Sequence, residues 1–75
     1  MQRYIDIGGD SGVAAYEVGP DSITVQFKDV ATYLYTNASA GSANIQTMKS
    51  LATSGDGLNA FITRNVKKAY ASKLR

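Results

Sequence analysis

The chain has 75 residues and a formal net charge of +2, which leaves room for one small domain over residues 1–75. It contains no Cys, no His and no Trp, so disulfides, thiolate or imidazole catalysis and zinc sites built on Cys or His are excluded. Its six carboxylates show no spacing that would pair two of them for acid–base work. We therefore expect a protein that is not an enzyme and that holds no metal and no cofactor.

The first ten residues are consistent with two structures. Tyr4, Ile5 and Ile7 precede a Gly-Gly pair and either add an edge strand to a sheet or form a frayed arm. The segment has one basic residue and no apolar run of the length that a signal peptide needs. A membrane span would need roughly 20 consecutive apolar residues, and the chain has no such run. We expect a cytoplasmic protein with no membrane partner.

Residues 11 to 36 alternate between apolar and polar side chains, which predicts strands. Val13–Val18 is the first, and a turn with Pro20 follows. In the second strand Ile23, Val25 and Phe27 share one face, as in a sheet with one solvated side. The third strand covers residues 31–36. This segment therefore predicts a three-stranded antiparallel sheet, with the N-terminal residues as a possible fourth strand.

The loop between the second and third strands decides which side of the sheet Tyr33 and Tyr35 occupy. The two tyrosines share one face because they lie two residues apart. A two-residue loop, 29–30, would leave both on the solvated face, where they could stack on nucleic-acid bases. A three-residue loop, 28–30, would place Tyr33 opposite Val25 and turn both tyrosines into the core.

After residue 42 the apolar spacing changes to that of helices. Four residues indicate a first helix: Ile45, Met48, Leu51 and Ala52. Asp56 is expected to cap a second helix that runs toward the C-terminus. Its buried face would hold six residues: Leu58, Phe61, Ile62, Val66, Ala69 and Tyr70. The prediction is an α+β fold with two helices packed on one face of the sheet.

Positive charge is concentrated in the second part of the chain. Two cations and five carboxylates precede Val30, whereas six cations and one carboxylate follow it. At about 100° per residue, Arg64, Lys68 and Arg75 fall on one line of the predicted second helix, with Lys67 beside it. Such a ridge can follow the phosphates of a nucleic acid. Cations at this position also offset the helix dipole and keep the outer face hydrated.

Four segments carry a resemblance to a known family. They are Val13-Ala-Ala in the first strand, Val25-Gln-Phe-Lys28 in the second, Tyr33-Leu34-Tyr35 in the third, and a closing stretch with Gly57, Phe61-Ile62, Arg64, Val66 and Tyr70. In this order they resemble the KTSC domain, a family named for its occurrence at the C-terminus of some lysyl-tRNA synthetases and found also as a short stand-alone bacterial protein. The resemblance covers about residues 11 to 70.

The resemblance implies a three-residue hairpin loop, in which Val30 replaces the family's glycine. It also implies that the family's aromatic positions belong to the core: Tyr33, Tyr35, Phe61 and Tyr70. The attachment to tRNA synthetases suggests a non-catalytic accessory module that binds RNA or tRNA. Five cations would contact phosphates: Lys49, Arg64, Lys67, Lys68 and Arg75.

The alternative is a protein-interaction or homodimerisation module with no nucleic-acid activity. It would use an exposed sheet edge or the outer sheet face, with Val30 and Leu34 as its apolar contacts.

Overall fold

The computed structural model describes residues 1–7, 9 and 11–75; Gly8 and Asp10, which belong to the possible N-terminal strand or arm, lie outside the described residues. Within the described part, five strands form one antiparallel sheet in chain order, accompanied by three helices. The strands are β1 (Gln2–Arg3), β2 (Val13–Val18), β3 (Ser22–Phe27), β4 (Thr32–Thr36) and β5 (Ser72–Lys73). The helices are α1 (Asn37–Ala40), α2 (Ser42–Ser54) and α3 (Leu58–Phe61), and α3 continues as one π-helical turn, Ile62–Val66.

The predicted α+β fold with an antiparallel sheet is confirmed, but the sheet is wider than the sequence indicates. At the N-terminus, Gln2 pairs with Tyr16 and Arg3 with Ala15, so an edge strand is present. It lies before Tyr4, Ile5 and Ile7, the residues on which this strand was expected, and these three are not part of it. At the other edge, Lys73 of β5 pairs with Tyr33 of β4. The second of these strands lies in a segment that was predicted to be helical.

The β3–β4 hairpin has the three-residue loop. The Phe27 N–H donates to the Ala31 carbonyl at 2.8 Å, and Tyr33 lies opposite Val25. Because Val25 is fully buried, Tyr33 and Tyr35 face the helices. The loop holds Val30 at a φ of +67°, a left-handed conformation that glycine adopts readily and a β-branched residue does not.

A β-bulge in β2 brings Val13 and Tyr16 onto the same side of the sheet. Val13 pairs with Phe27 and Ala15 pairs with Gln26, so β2 has one residue more than β3 over this stretch. Val13 and Tyr16 are both buried, although they are three residues apart. Simple alternation along a strand would have placed them on opposite faces.

The core lies between the inner face of the sheet and the helices. Its buried apolar residues are Tyr4, Val13, Tyr16, Ile23, Val25, Tyr35, Ile45, Met48, Ala52, Leu58, Ile62 and Val66. Phe61 and Tyr33 are partly buried and pack against this cluster. The predicted core position of Tyr35 is thus confirmed, whereas Tyr33 and Phe61 lie at the margin of the core.

The first turn of α3 is capped by a residue distant in sequence. Asp56 was predicted to cap this helix, but Gly57 occupies the capping position at a φ of +83° and supplies no side chain. The Leu58 N–H donates instead to the Tyr4 hydroxyl at 3.3 Å. Tyr4 is buried, and burial raises the pKa of its hydroxyl despite this hydrogen bond. The contact joins the residue that follows β1 to the start of α3.

The prediction that the second helix continues to the C-terminus is wrong, since the π-helical turn ends at Val66. Thr63 Oγ1 donates to the Asn59 carbonyl, and Asn65 Nδ2 donates to the Phe61 carbonyl. Such side-chain bonds to helix carbonyls, together with β-branched residues, weaken a helix. The last residues bond to the edge of β4 instead, whose carbonyls would otherwise have no backbone partner.

Because the helical segment ends at Val66, two predicted residue positions are wrong. Tyr70 was predicted to be core, but it lies beyond the helix and 39% of its surface is exposed. Arg75 was predicted to share a helical line with Arg64 and Lys68. Its N–H instead donates to the Thr32 carbonyl at 3.3 Å, so it extends the β4–β5 pairing.

Val30→Gly is expected to raise the free energy of unfolding by about 1 kcal/mol, because glycine relieves the left-handed strain. Little burial is lost, since Val30 is 60% exposed. Urea unfolding measures the change. Val18→Gly is the matched control: this valine is also exposed but lies within β2, and its replacement should lower stability. A Val30→Gly protein no more stable than the parent would contradict the prediction.

Tyr4→Phe is expected to lower the free energy of unfolding by about 1–3 kcal/mol, because the Leu58 N–H would remain buried without its partner. Tyr16→Phe provides the comparison at a second buried tyrosine, whose hydroxyl bonds to no described residue, and should cost less. Thermal melts followed by circular dichroism measure both. Equal losses for the two variants would show that the capping bond contributes nothing.

Candidate nucleic-acid interface

A groove of about 460 Å³ opens between the β3–β4 loop and the end of the π-helical turn. Its lining includes four aromatic residues, Phe27, Tyr33, Tyr35 and Tyr70, together with Lys28 and Lys67. We call it the aromatic groove. Its volume falls within the range of small-molecule binding sites, roughly 300–1,000 Å³.

The four rings of the groove contact one another as an ordered cluster. The Tyr33 ring meets Phe27 edge to face, with centroids 5.8 Å apart, and lies tilted against Tyr70 at 4.8 Å. Tyr70 also meets Tyr35 edge-on at 6.5 Å. These separations are typical of favourable aromatic pairs. The exposed ring of Tyr70 is therefore held in position by two tyrosines of β4.

Local sequence and long-range pairing both contribute to this arrangement. Tyr33 and Tyr35 lie two residues apart on β4 and so share the helix-facing side. Tyr70 is positioned by its neighbours: the Ala69 N–H donates to the Val66 carbonyl at 2.9 Å, and the Ala71 N–H donates to the Leu34 carbonyl at 2.7 Å. The chain thus crosses from the helix to the sheet edge at Tyr70.

The hydroxyl of Tyr35 stays protonated over a wide pH range. Burial of this side chain, and to a lesser degree the neighbouring Tyr33 and Tyr70, raises the pKa of Tyr35 to about 12. Tyr35 borders the groove with only 1% of its surface exposed.

Two exposed cations of the last helical segment and the C-terminal strand lie at this groove, Lys67 and Lys73. Lys67 itself lines the groove, and Arg64 and Lys68 are exposed on the same short segment. Lys73 Nζ lies 5.8 Å from the centroid of the Tyr33 ring, within the range of a cation–π contact. Among the described residues, the ion pairs are Met1–Glu17 and Lys28–Asp6, so none of these four cations takes part in one.

The carboxyl group of Asp6 offsets the charge of Lys28. Lys28 Nζ donates to Asp6 Oδ2 at 3.1 Å, and the Ser11 N–H donates to Asp6 Oδ1 at 3.2 Å. Partial burial alone would raise the pKa of Asp6, but these bonds and the lysine charge outweigh it and hold the pKa below its usual 3.8. Lys28 is thus less available to an external anion than Lys67.

The structure does not bring all five predicted cations together. Lys49 Nζ donates to the Pro20 carbonyl at 3.1 Å, next to the β2–β3 turn. Pro20 precedes β3 and Lys28 follows it, so Lys49 and the Lys28 end of the groove lie at opposite ends of this strand, which is about 17 Å long. Arg75 is displaced to the β4 edge. The charge pattern alone did not reveal Lys73 as a neighbour of Tyr33, because only their pairing across strands shows it.

No helix of the described residues has the length and apolar character needed to cross a membrane. The described part of the chain also contains no group of three or more acidic side chains that could hold a metal ion. No family model matches the chain, and neither a similar curated protein nor a similar solved structure was found.

The stability of the fold should fall as pH rises from 10 to about 12. The unfolded chain releases the Tyr35 proton near the ordinary pKa of 10.0, whereas the folded protein retains it until about 12. The contribution of this group is therefore complete below pH 10 and is lost above it. Tyr35→Phe should flatten this pH dependence, as measured by urea unfolding at pH 8 to 12. Equal slopes for variant and parent would contradict the assignment.

Proposed function

We propose that the protein is a small non-catalytic accessory module of the cytoplasm that binds RNA through the basic surface at the end of its last helix. Four exposed cations form this basic surface: Arg64, Lys67, Lys68 and Lys73. The observation that carries the proposal is that none of them forms an ion pair with a described residue, while Lys67 borders the aromatic groove. The proposal agrees with the resemblance of the sequence to the KTSC domain.

The basic surface would bind phosphates without reading sequence. Counterion release makes such binding fall linearly with the logarithm of salt concentration, with a slope of about −0.7 per phosphate contact on a single strand. Four cations support at most four such contacts, so we expect modest affinity and a slope of about −2 to −3.

A protein-interaction module is the second candidate. The observation that favours it is the outer edge of β2, where β1 pairs with Ala15 and Tyr16 and the described residues leave Val18 uncovered, 46% exposed. An open strand edge can pair with another chain. Light scattering after size exclusion tests self-association, and a monomer at all concentrations would count against the homodimer.

The double substitution Lys67→Glu with Lys68→Glu should weaken RNA binding about tenfold or more at low salt and reduce the salt slope, because two phosphate contacts are lost. Both residues are exposed, so the fold should be retained. Fluorescence anisotropy with a labelled single strand at several salt concentrations provides the measurement.

Lys49→Glu is the matched control for this experiment. It also reverses the charge of a lysine, but at the opposite end of β3, and should change RNA affinity little. An equal loss with Lys49→Glu would indicate a general effect of net charge. No RNA binding by the parent protein, even at low salt, would overturn the proposed function.

A further inference from the structure

We infer that the aromatic groove binds one unstacked nucleobase of a single-stranded RNA, with the ring of Tyr70 as its stacking surface. The inference rests on the proposed function, which accounts for the phosphates but not for the groove. It adds a preference for single strands that the cations alone do not provide.

The position of Tyr70 suits this role. Tyr70 lines the groove, and 39% of its surface remains exposed. Contacts with Tyr33 and Tyr35 at 4.8 and 6.5 Å hold the ring in place before anything binds. A stacking surface that is already ordered loses little conformational freedom on binding. Bases of any sequence can stack on such a ring.

The chemistry of the groove matches a base attached to phosphate. Phe27 and Ile62 contribute apolar lining, as a planar ring requires. Lys67 lies at the groove and Lys73 lies against the Tyr33 ring, so positive charge borders the aromatic surface. The lining also includes one acidic residue, Asp29. Its Oδ1 accepts a hydrogen bond from the Ala31 N–H at 3.1 Å. Aromatic rings bordered by lysines are typical of proteins that bind single strands.

Duplex RNA should not occupy the groove. Its bases are stacked and paired, and a protein reaches mainly its backbone and the shallow minor groove. Phosphate contacts by Arg64, Lys67 and Lys68 remain possible with either form. The two parts of the site should therefore be separable: the cations act on single strands and duplexes alike, and Tyr70 acts on single strands alone.

Anisotropy titrations with a labelled single strand of six to eight nucleotides and with a duplex of similar charge test this separation. Tyr70→Ala should weaken single-strand binding about tenfold and leave duplex binding and the salt slope unchanged. Tyr70→Phe, which keeps the ring, should bind like the parent. Leu74→Ala is the control, because this leucine is 52% exposed near the C-terminus and is not part of the groove lining. Thermal melts establish that each variant is folded.

The chain has no Trp, so Tyr70→Trp introduces a single indole reporter at the groove. Its fluorescence should change when the single strand is added and not when the duplex is added. Adenosine monophosphate alone should give a weaker change, which separates stacking of a free nucleotide from binding of a strand.

Three outcomes would overturn the inference, and they are distinguishable. If the single strand binds the parent and Tyr70→Ala equally well, the base pocket is wrong while the phosphate-binding surface stands. If the parent binds no RNA at low salt, the proposed function fails and the base pocket fails with it. An indole signal that responds to raised protein concentration without RNA would identify a second copy of the chain as the occupant.

Discussion

The edge of β4 is the constraint on which the candidate site depends. This strand would be left with unbonded backbone groups if the chain ended in a helix, and the last residues bond to it instead: Ala71 and Leu74 donate to the Leu34 and Thr32 carbonyls, each at 2.7 Å. To reach that edge the chain must leave the helix after Val66. Tyr70 then lies across Tyr33, and Lys73 lies beside the same ring. The aromatic groove therefore forms because the last residues of the chain pair with the edge of β4.

On the opposite side of the molecule, the N-terminal segment bonds to the residues around the start of α3. Tyr4 accepts the Leu58 N–H, and the Ile7 N–H donates to the Gly55 carbonyl at 2.8 Å. Gly55 has a φ of +82°, and a Cβ atom there would lie 2.8 Å from Ile5 Cβ, so only glycine fits this corner without displacement. A chain of this size buries a modest share of its surface. The N-terminal segment contributes Tyr4 to the buried core and fixes the start of α3, whereas Ala69, which follows the π-helical turn, packs against that core.

The sequence predicted correctly those strands and helices that form from residues close together in the chain. The alternation of Ile23 and Val25 gave β3, and the spacing of Ile45 and Met48 gave α2. The three-residue loop followed from the family resemblance, and with it the side of the sheet on which Tyr35 lies. Prediction failed where distant parts of the chain compete. Tyr70 has helical spacing from Val66, but the edge of β4 outcompetes a helix already weakened by Thr63 and Asn65. The cap from Tyr4 spans more than fifty residues, a distance over which no local motif operates.

The residues of the candidate site differ in the same way: some could be predicted from the local sequence and others could not. Lys67 and Lys68 could be selected from charge and spacing, because they lie at the end of the helix. Tyr70 and Lys73 become neighbours of Tyr33 only through the pairing of β5 with β4. That pairing is short, since it consists of Tyr33 with Lys73 and Leu34 with Ser72. A base bound there as proposed would contact Tyr70 only when β5 is paired with β4, so the proposed binding and this pairing would stabilise each other. The proposed binding of a single strand therefore depends on the same hydrogen bonds that hold Ala71 and Leu74 at the edge of β4.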